Sequence, residues 1–192
     1  DKESNTIYLD WAARLGRKGT VIVLDNIGRE GEIVNEDTTD PRVIGTQEGL
    51  YGQLQDISAD LGPSYDSIGL GREGGSKGEF MMIFFDTRRL QPLEYDHYWL
   101  SDTPEVIGSK TWGGCCARMV TWVRFKDKAT SKEFYAINTH LEAFDATARS
   151  KSADLILQRM TALNPALPVI MTRDFNEAAR AGVTGYGELL TS

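Results

Sequence analysis

"EFMMIFFD", residues 79–86, sets six consecutive apolar residues between two acids. A half-exposed strand alternates apolar and polar positions, and this stretch does not. It reads as a strand apolar on both faces, which requires a packed layer on each side. Working outward, "TVIVLDN" (20–26), "RVIGTQE" (42–48), "MVTWVRF" (119–125), "EFYAINTHL" (133–141) and "VIMTRDFN" (169–176) read as further strands. Two helices join them. "GLYGQLQDISADLG" puts Leu50, Leu54, Ile57 and Leu61 on one face and stops at Gly62-Pro63. The second runs from Asp145, its cap, to Leu163, with Ala153, Ile156, Leu157, Met160 and Leu163 at helical spacing. Strands in succession with few helices predict an α+β fold of packed sheets flanked by helices, not an alternating doubly wound one.

The 192 residues, 41% hydrophobic and 26% charged, suit one large domain spanning 1–192. A net charge of -7 argues against a broad basic surface for nucleic acid and fits a site that uses divalent cations. Cys115 and Cys116 are adjacent, so neither a disulfide framework nor a zinc site of the CxxC kind is present. No apolar run approaches the roughly 20 residues of a membrane span. The opening "DKESNT" lacks an apolar signal core, so a processed, extracellular bacterial chain is expected in preference to a cytoplasmic one.

The apolar strands end in polar clusters: Asn26, Glu48, Asn138 with His140, and Asp174 with Asn176. Singly, each reads as a solvated strand end, a turn-bonding Asn or a satisfied half-buried His. Their recurrence favours one edge where a rigid scaffold presents ligands. Glu, Asp and Asn offer hard oxygen donors suited to magnesium, manganese or calcium. A nearby His adds a donor for developing negative charge, the combination that metal-assisted phosphoryl transfer requires.

With "GTQE", "GE", "NTHL" and "DFN" in that order, the sequence resembles the endonuclease/exonuclease/phosphatase superfamily, in an uncharacterised bacterial branch, from about residue 20 to 180. The resemblance implies a four-layer α/β/β/α sandwich of two mainly antiparallel sheets and a divalent-metal site at one edge. Glu48 matches the metal-binding glutamate and Asn26 the asparagine ending the first strand. His140 is similar to the histidine that contacts the scissile phosphate, and Glu79 to the acid that orients it, keeping it protonated or fixing its tautomer. Asp174 resembles the residue that positions or deprotonates water, Asn176 the amide that binds phosphate oxygen, and Arg118 an arginine facing the site. The resemblance implies a Mg2+-dependent phosphoesterase, with Mn2+ or Ca2+ as alternatives. Its substrate would be a phosphorylated small molecule, a lipid headgroup or a nucleic acid, and the protein a monomer.

Departures from the pattern shape a second expectation. The superfamily ends in a Ser-Asp-His strand, whereas sixteen residues follow Asn176 here and none is His. Asp96-His97 lies mid-chain and does not replace that pair. The chain is therefore expected to lack C-terminal strands, which keeps open a non-catalytic relative or fragment that retains the fold and metal site. Arg173 stands where relatives carry Gly, and is expected to point outward or to meet an anionic substrate. The segment between Asn26 and Glu48 is short and acidic. "GLGREG" (69–74) satisfies GxGxxG, but it has no convincing strand before it and opens no helix, so it reads as a flexible loop near the site with Arg72 solvated. Trp99, Trp112 and Trp122 read as packing residues before base-stacking ones.

Overall fold

The computed structural model describes residues 23–25 and 42–176. Among these residues, eight strands form two sheets. The larger has the order β1-β8-β7-β6-β5, from β1 (Val23–Asp25), β5 (Leu90–Trp99), β6 (Met119–Asp127), β7 (Glu133–His140) and β8 (Val169–Asp174). The smaller is β2-β4-β3, from β2 (Val43–Gly49), β3 (Tyr65–Ile68) and β4 (Phe80–Asp86). Pairing is antiparallel except where β8 lies parallel to β7 and β1.

β4 explains the layering. Ile83 and Phe85 meet Val123, Phe125 and Ala136 of the larger sheet, forming the central layer. Phe80, Met82 and Phe84 turn the other way, onto Leu54, Ile57 and Leu61 of helix α1 (Tyr51–Leu61). On the far side of the larger sheet, Ile156 of helix α2 (Ala146–Thr161) packs with Val120, Ile137, Met171 and Phe175. The result is the expected helix–sheet–sheet–helix sandwich.

The helix ends follow local chemistry. Gln53 Oε1 accepts the backbone N–H of Leu50 at 2.9 Å, half of a capping box. Leu50 is therefore the exposed residue that precedes α1, not a member of its buried face. Gly62, at φ 75°, ends α1 in a conformation that L side chains rarely adopt. Asp145 caps α2 as expected, its Oδ1 accepting from the N–H groups of Thr147 and Ala148 at 2.8 and 3.0 Å. α2 stops at Thr161, short of Leu163.

Two strands were not anticipated, β3 and β5. β3 does precede the GxGxxG stretch, but the chain passes from that loop into β4 and opens no helix. The loop is also well tied: the N–H of Gly71 donates to Gly75 O at 2.8 Å, Arg72 to Glu79 O at 2.9 Å and Gly74 to Gly71 O at 2.7 Å. Trp99 Nε1 anchors it from β5 through Arg72 O at 2.7 Å. That contact, the Trp112 Nε1 bond to Asp102 and the Trp122–Tyr135 ring contact make all three tryptophans packing residues.

Candidate active site

Strand alternation places Asn138 and His140 of β7, and Thr172 and Asp174 of β8, on the face turned toward the smaller sheet. The register is direct, Asn138 opposite Thr172 and His140 opposite Asp174. From the other sheet, β2 runs in with Gly45, Thr46 and Gln47. Its pairing with β4 breaks between Thr46 and Gly49, and Glu48 sits inside that bulge at φ 58°. A bulge re-aims a side chain, and here it turns Glu48 to the mouth between the sheets.

Glu48 Oε1 lies 3.9 Å and Asp174 Oδ2 3.8 Å from Nε2 of the buried His140. Ligand atoms of the three residues lie within 4.8 Å of one another, and among the described residues they are the only such group of three. These spacings are long for hydrogen bonds and suit donors that share one ion at roughly 2.0–2.6 Å each. Two hard carboxylates and one borderline imidazole nitrogen form a donor set that fits a divalent cation.

His140 is neutral near pH 7. Burial, and then the Arg118 charge, hold its pKa down at about 4, against the opposing pull of Asp174. Asn176 Nδ2 donates to His140 Nε2 at 2.7 Å, which leaves the ring proton on Nδ1. Nδ1 makes no hydrogen bond among the described residues. Of the two expectations for this ring, the protonated one is overturned: burial and Arg118 outweigh the acids beside it.

The titration has a consequence for stability. As pH falls, the unfolded chain binds a proton near its ordinary 6.5, while folded His140 resists until about 4. Stability is complete above pH 6.5 and is lost progressively down to pH 4, by roughly 3 kcal/mol. For a chain of this size that amounts to a fall in Tm of roughly 6–12 °C. Burial lowers His97 as well, adding in the same direction. Thermal melts of metal-free protein between pH 7 and 4.5 check this, and His140→Gln is expected to flatten most of the slope. An equal slope in that variant would refute the assignment.

The other expected residues fall as follows. Asn176 stands past the strand end at φ 53°, its N–H bonded to Asp174 Oδ1 at 2.8 Å. Both donors of its amide are engaged, by His140 Nε2 and by Leu141 O at 3.0 Å. Phe175 is buried, in the core beneath α2. Glu79 bonds Arg72 Nη1 at 2.5 Å rather than His140. The cause lies in the tied loop, which folds Arg72 back over Glu79. Arg72 is thus not a solvated loop residue, and its charge helps depress His140. Asn26 lies outside the described residues.

Arg118 is buried beside the trio. Its Nε is 3.7 Å from Glu142 Oε2 and its Nη2 is 3.9 Å from Cys115 Sγ, while Nε and Nη1 make no hydrogen bond among the described residues. Glu142 was not anticipated. Burial pushes its carboxyl up, but N–H groups of Phe144 and Cys115 and the Arg118 charge outweigh this and lower its pKa. Gly114 sits tight against it, since a Cβ there would fall 2.5 Å from Glu142 Oε2. Arg173 neither points outward nor enters the site; it is buried, with its guanidinium carbon 3.5 Å from the Phe175 ring centroid. His97 bonds Thr121 at 3.1 Å, two strands away from the strand of His140.

The chain has the two-sheet sandwich of the endonuclease/exonuclease/phosphatase superfamily, shared with solved members of that family. In particular, the chain is similar to an endonuclease/exonuclease/phosphatase from Bacteroides vulgatus, with 36% identity, a TM-score of 0.74 and coverage of 79% of this chain and 57% of that one. It is also similar to a mannosyl-6-phosphatase of Bacteroides thetaiotaomicron, at 37% identity and TM-score 0.72, over 79% of this chain and 56% of the other. The chain thus spans little more than half the length of either. No family model matches it. A stretch of 47 residues is 47% identical to a catechol O-methyltransferase of Niastella koreensis, covering 24% of this chain and 21% of that enzyme. That match takes in less than a quarter of the chain.

Proposed function

We propose that the protein is a divalent-metal-dependent phosphoesterase acting on the phosphomonoester of a small molecule, with a sugar phosphate favoured. The observation that carries this reading is the convergence of Glu48, His140 and Asp174 at the sheet mouth. These three would hold the cation, which when bound supplies charge neutralisation for the phosphate oxygens and lowers the pKa of water. Glu48 anchors from the smaller sheet, and His140 offers an unprotonated Nε2. Asp174 would orient water and accept its proton. Arg118, buried with open N–H donors, suits a phosphate oxygen. Asn176 would reach one by releasing His140.

Two observations support the choice of substrate. The chain is acidic, at -7, which disfavours tight duplex binding. The mannosyl-6-phosphatase is among its more similar neighbours. The test is phosphate release from 4-nitrophenyl phosphate, bis(4-nitrophenyl) phosphate and hexose 6-phosphates, with Mg2+ or Mn2+ and with EDTA. Monoester hydrolysis that EDTA abolishes is expected. Hydrolysis of the diester alone would overturn the substrate reading, and no hydrolysis with either metal would favour a non-catalytic relative.

A further inference from the structure

Asn138 makes every hydrogen bond that its side chain can make, with no exposed surface. Its Nδ2 donates to Thr46 O at 2.8 Å and to Met82 O at 2.9 Å, crossing from the larger sheet to the smaller. Its Oδ1 accepts from Gln47 Nε2 at 2.5 Å and from Thr172 Oγ1 at 3.0 Å. One amide therefore ties β7 to β2, β4 and β8.

The partners are arranged with respect to the site. Gln47 precedes Glu48, and Thr172 stands two residues before Asp174. Asn138 itself stands two before His140. Residues two apart in a strand share a face, roughly 6.6 Å from each other. Thr46 and Gln47 also lead into the bulge that turns Glu48 inward. A left-handed glutamate costs on the order of 1 kcal/mol or more and persists only where its surroundings over-determine it. Asn138 supplies that constraint by gripping the Thr46 carbonyl and the Gln47 side chain together.

We propose that Asn138, acting through Gln47 and Thr172, is a positioning residue that sets the separation of Glu48, His140 and Asp174. The inference rests on the metal reading above. The simpler role for a buried amide is to pin two sheets together, and that role alone gives no reason for bonds that join β7 to both other ligand-bearing strands. Other residue types fail at this position. Asp would set a carboxylate against the carbonyls of Thr46 and Met82, and Leu would take the donor from both carbonyls and the acceptor from Gln47 and Thr172.

The test uses variants that keep volume and lose one bond. Gln47→Met and Thr172→Val are each expected to weaken Mn2+ binding, measured by calorimetry, by about tenfold. Thr172→Ser keeps the hydroxyl and loses a buried methyl; it should hold near wild-type affinity despite a lowered Tm. Equal affinity in Thr172→Ser and Thr172→Val, or affinities of Gln47→Met and Thr172→Val within about twofold of wild type, would overturn the proposal. If unmodified protein takes up no Mn2+, the metal reading fails instead. The proposal then stands or falls on crystal structures of the same variants, in which Glu48 is expected to leave its 3.9 Å approach to His140. An unmoved Glu48 would overturn it.

Discussion

Glu48→Gln is expected to abolish divalent-metal binding and to lower metal-dependent hydrolysis by about three orders of magnitude. The substitution keeps the length and shape of the side chain and removes one of the two charges that face His140 Nε2. Glu48 is the member of the trio that the smaller sheet contributes, so losing its charge leaves His140 and Asp174 alone from the larger. A ligand at a hundred times its Kd stabilises a protein by about 2.7 kcal/mol. For a chain of this length, that raises Tm by roughly 5–10 °C. Wild-type protein should show that rise with Mn2+ or Mg2+, and Glu48→Gln should not. Without metal the variant should melt at or slightly above wild type, because two neighbouring carboxylates become one. A metal-induced shift that survives in Glu48→Gln would remove Glu48 from the site. A large loss of metal-free stability would make it a structural residue.

Much of this arrangement is legible in the sequence, for reasons that particular residues make plain. β4 announces its burial because a strand without polar residues on either face is stable only between packed layers. β7 and β8 announce theirs by short apolar runs, and their polar ends carry His140 and Asp174 where a sheet edge needs polar groups. The strands that escaped reading lie at the edges. In β5, Pro92 and a run of exposed residues from Glu94 to Asp96 break any apolar pattern. Proline is tolerated at an edge, and there it coincides with a register shift between Pro92 and Glu94. Pairing with β6 holds β5, and pairing is not written in its own residues. β3 is four residues long for the same reason.

Side-chain partnerships were legible only in part. Arg118 could be placed near the site, but Glu142 could not be read as its partner. That contact depends on the 113–118 loop pressing against the turn after β7, through Gly114 and the Cys115 N–H at 3.2 Å from Glu142 Oε2. Arg72 misled because a glycine-rich stretch reads as mobile, whereas its backbone is closed by its own hydrogen bonds. Arg173 misled for the opposite reason. Its charge suggested solvent or substrate, and the Phe175 ring gives it a buried place on the α2 side of the sheet.

Gly45→Ala is expected to destabilise the fold strongly, because the added methyl has no room. A Cβ at Gly45 would fall 1.8 Å from Thr172 Oγ1, 2.5 Å from Thr172 Cβ and 3.1 Å from Asn138 Cγ. Both neighbours are buried and bonded to each other, so neither can swing aside without stranding a polar group. Overpacking commonly costs about 1–3 kcal/mol, and breaking the hydrogen bond adds about 1 more. A total of roughly 2–4 kcal/mol lowers Tm by about 4–16 °C. Thr172→Gly in the same chain empties the space and should return most of that stability, less about 1 kcal/mol for a glycine in a strand. It cannot return the hydroxyl. The double variant should therefore fold and melt above Gly45→Ala, though below wild type, yet bind Mn2+ about tenfold more weakly than wild type, separating the room that Gly45 provides from the bond that Asn138 uses. Wild-type affinity in that variant would reduce the contact between Gly45, Thr172 and Asn138 to packing alone.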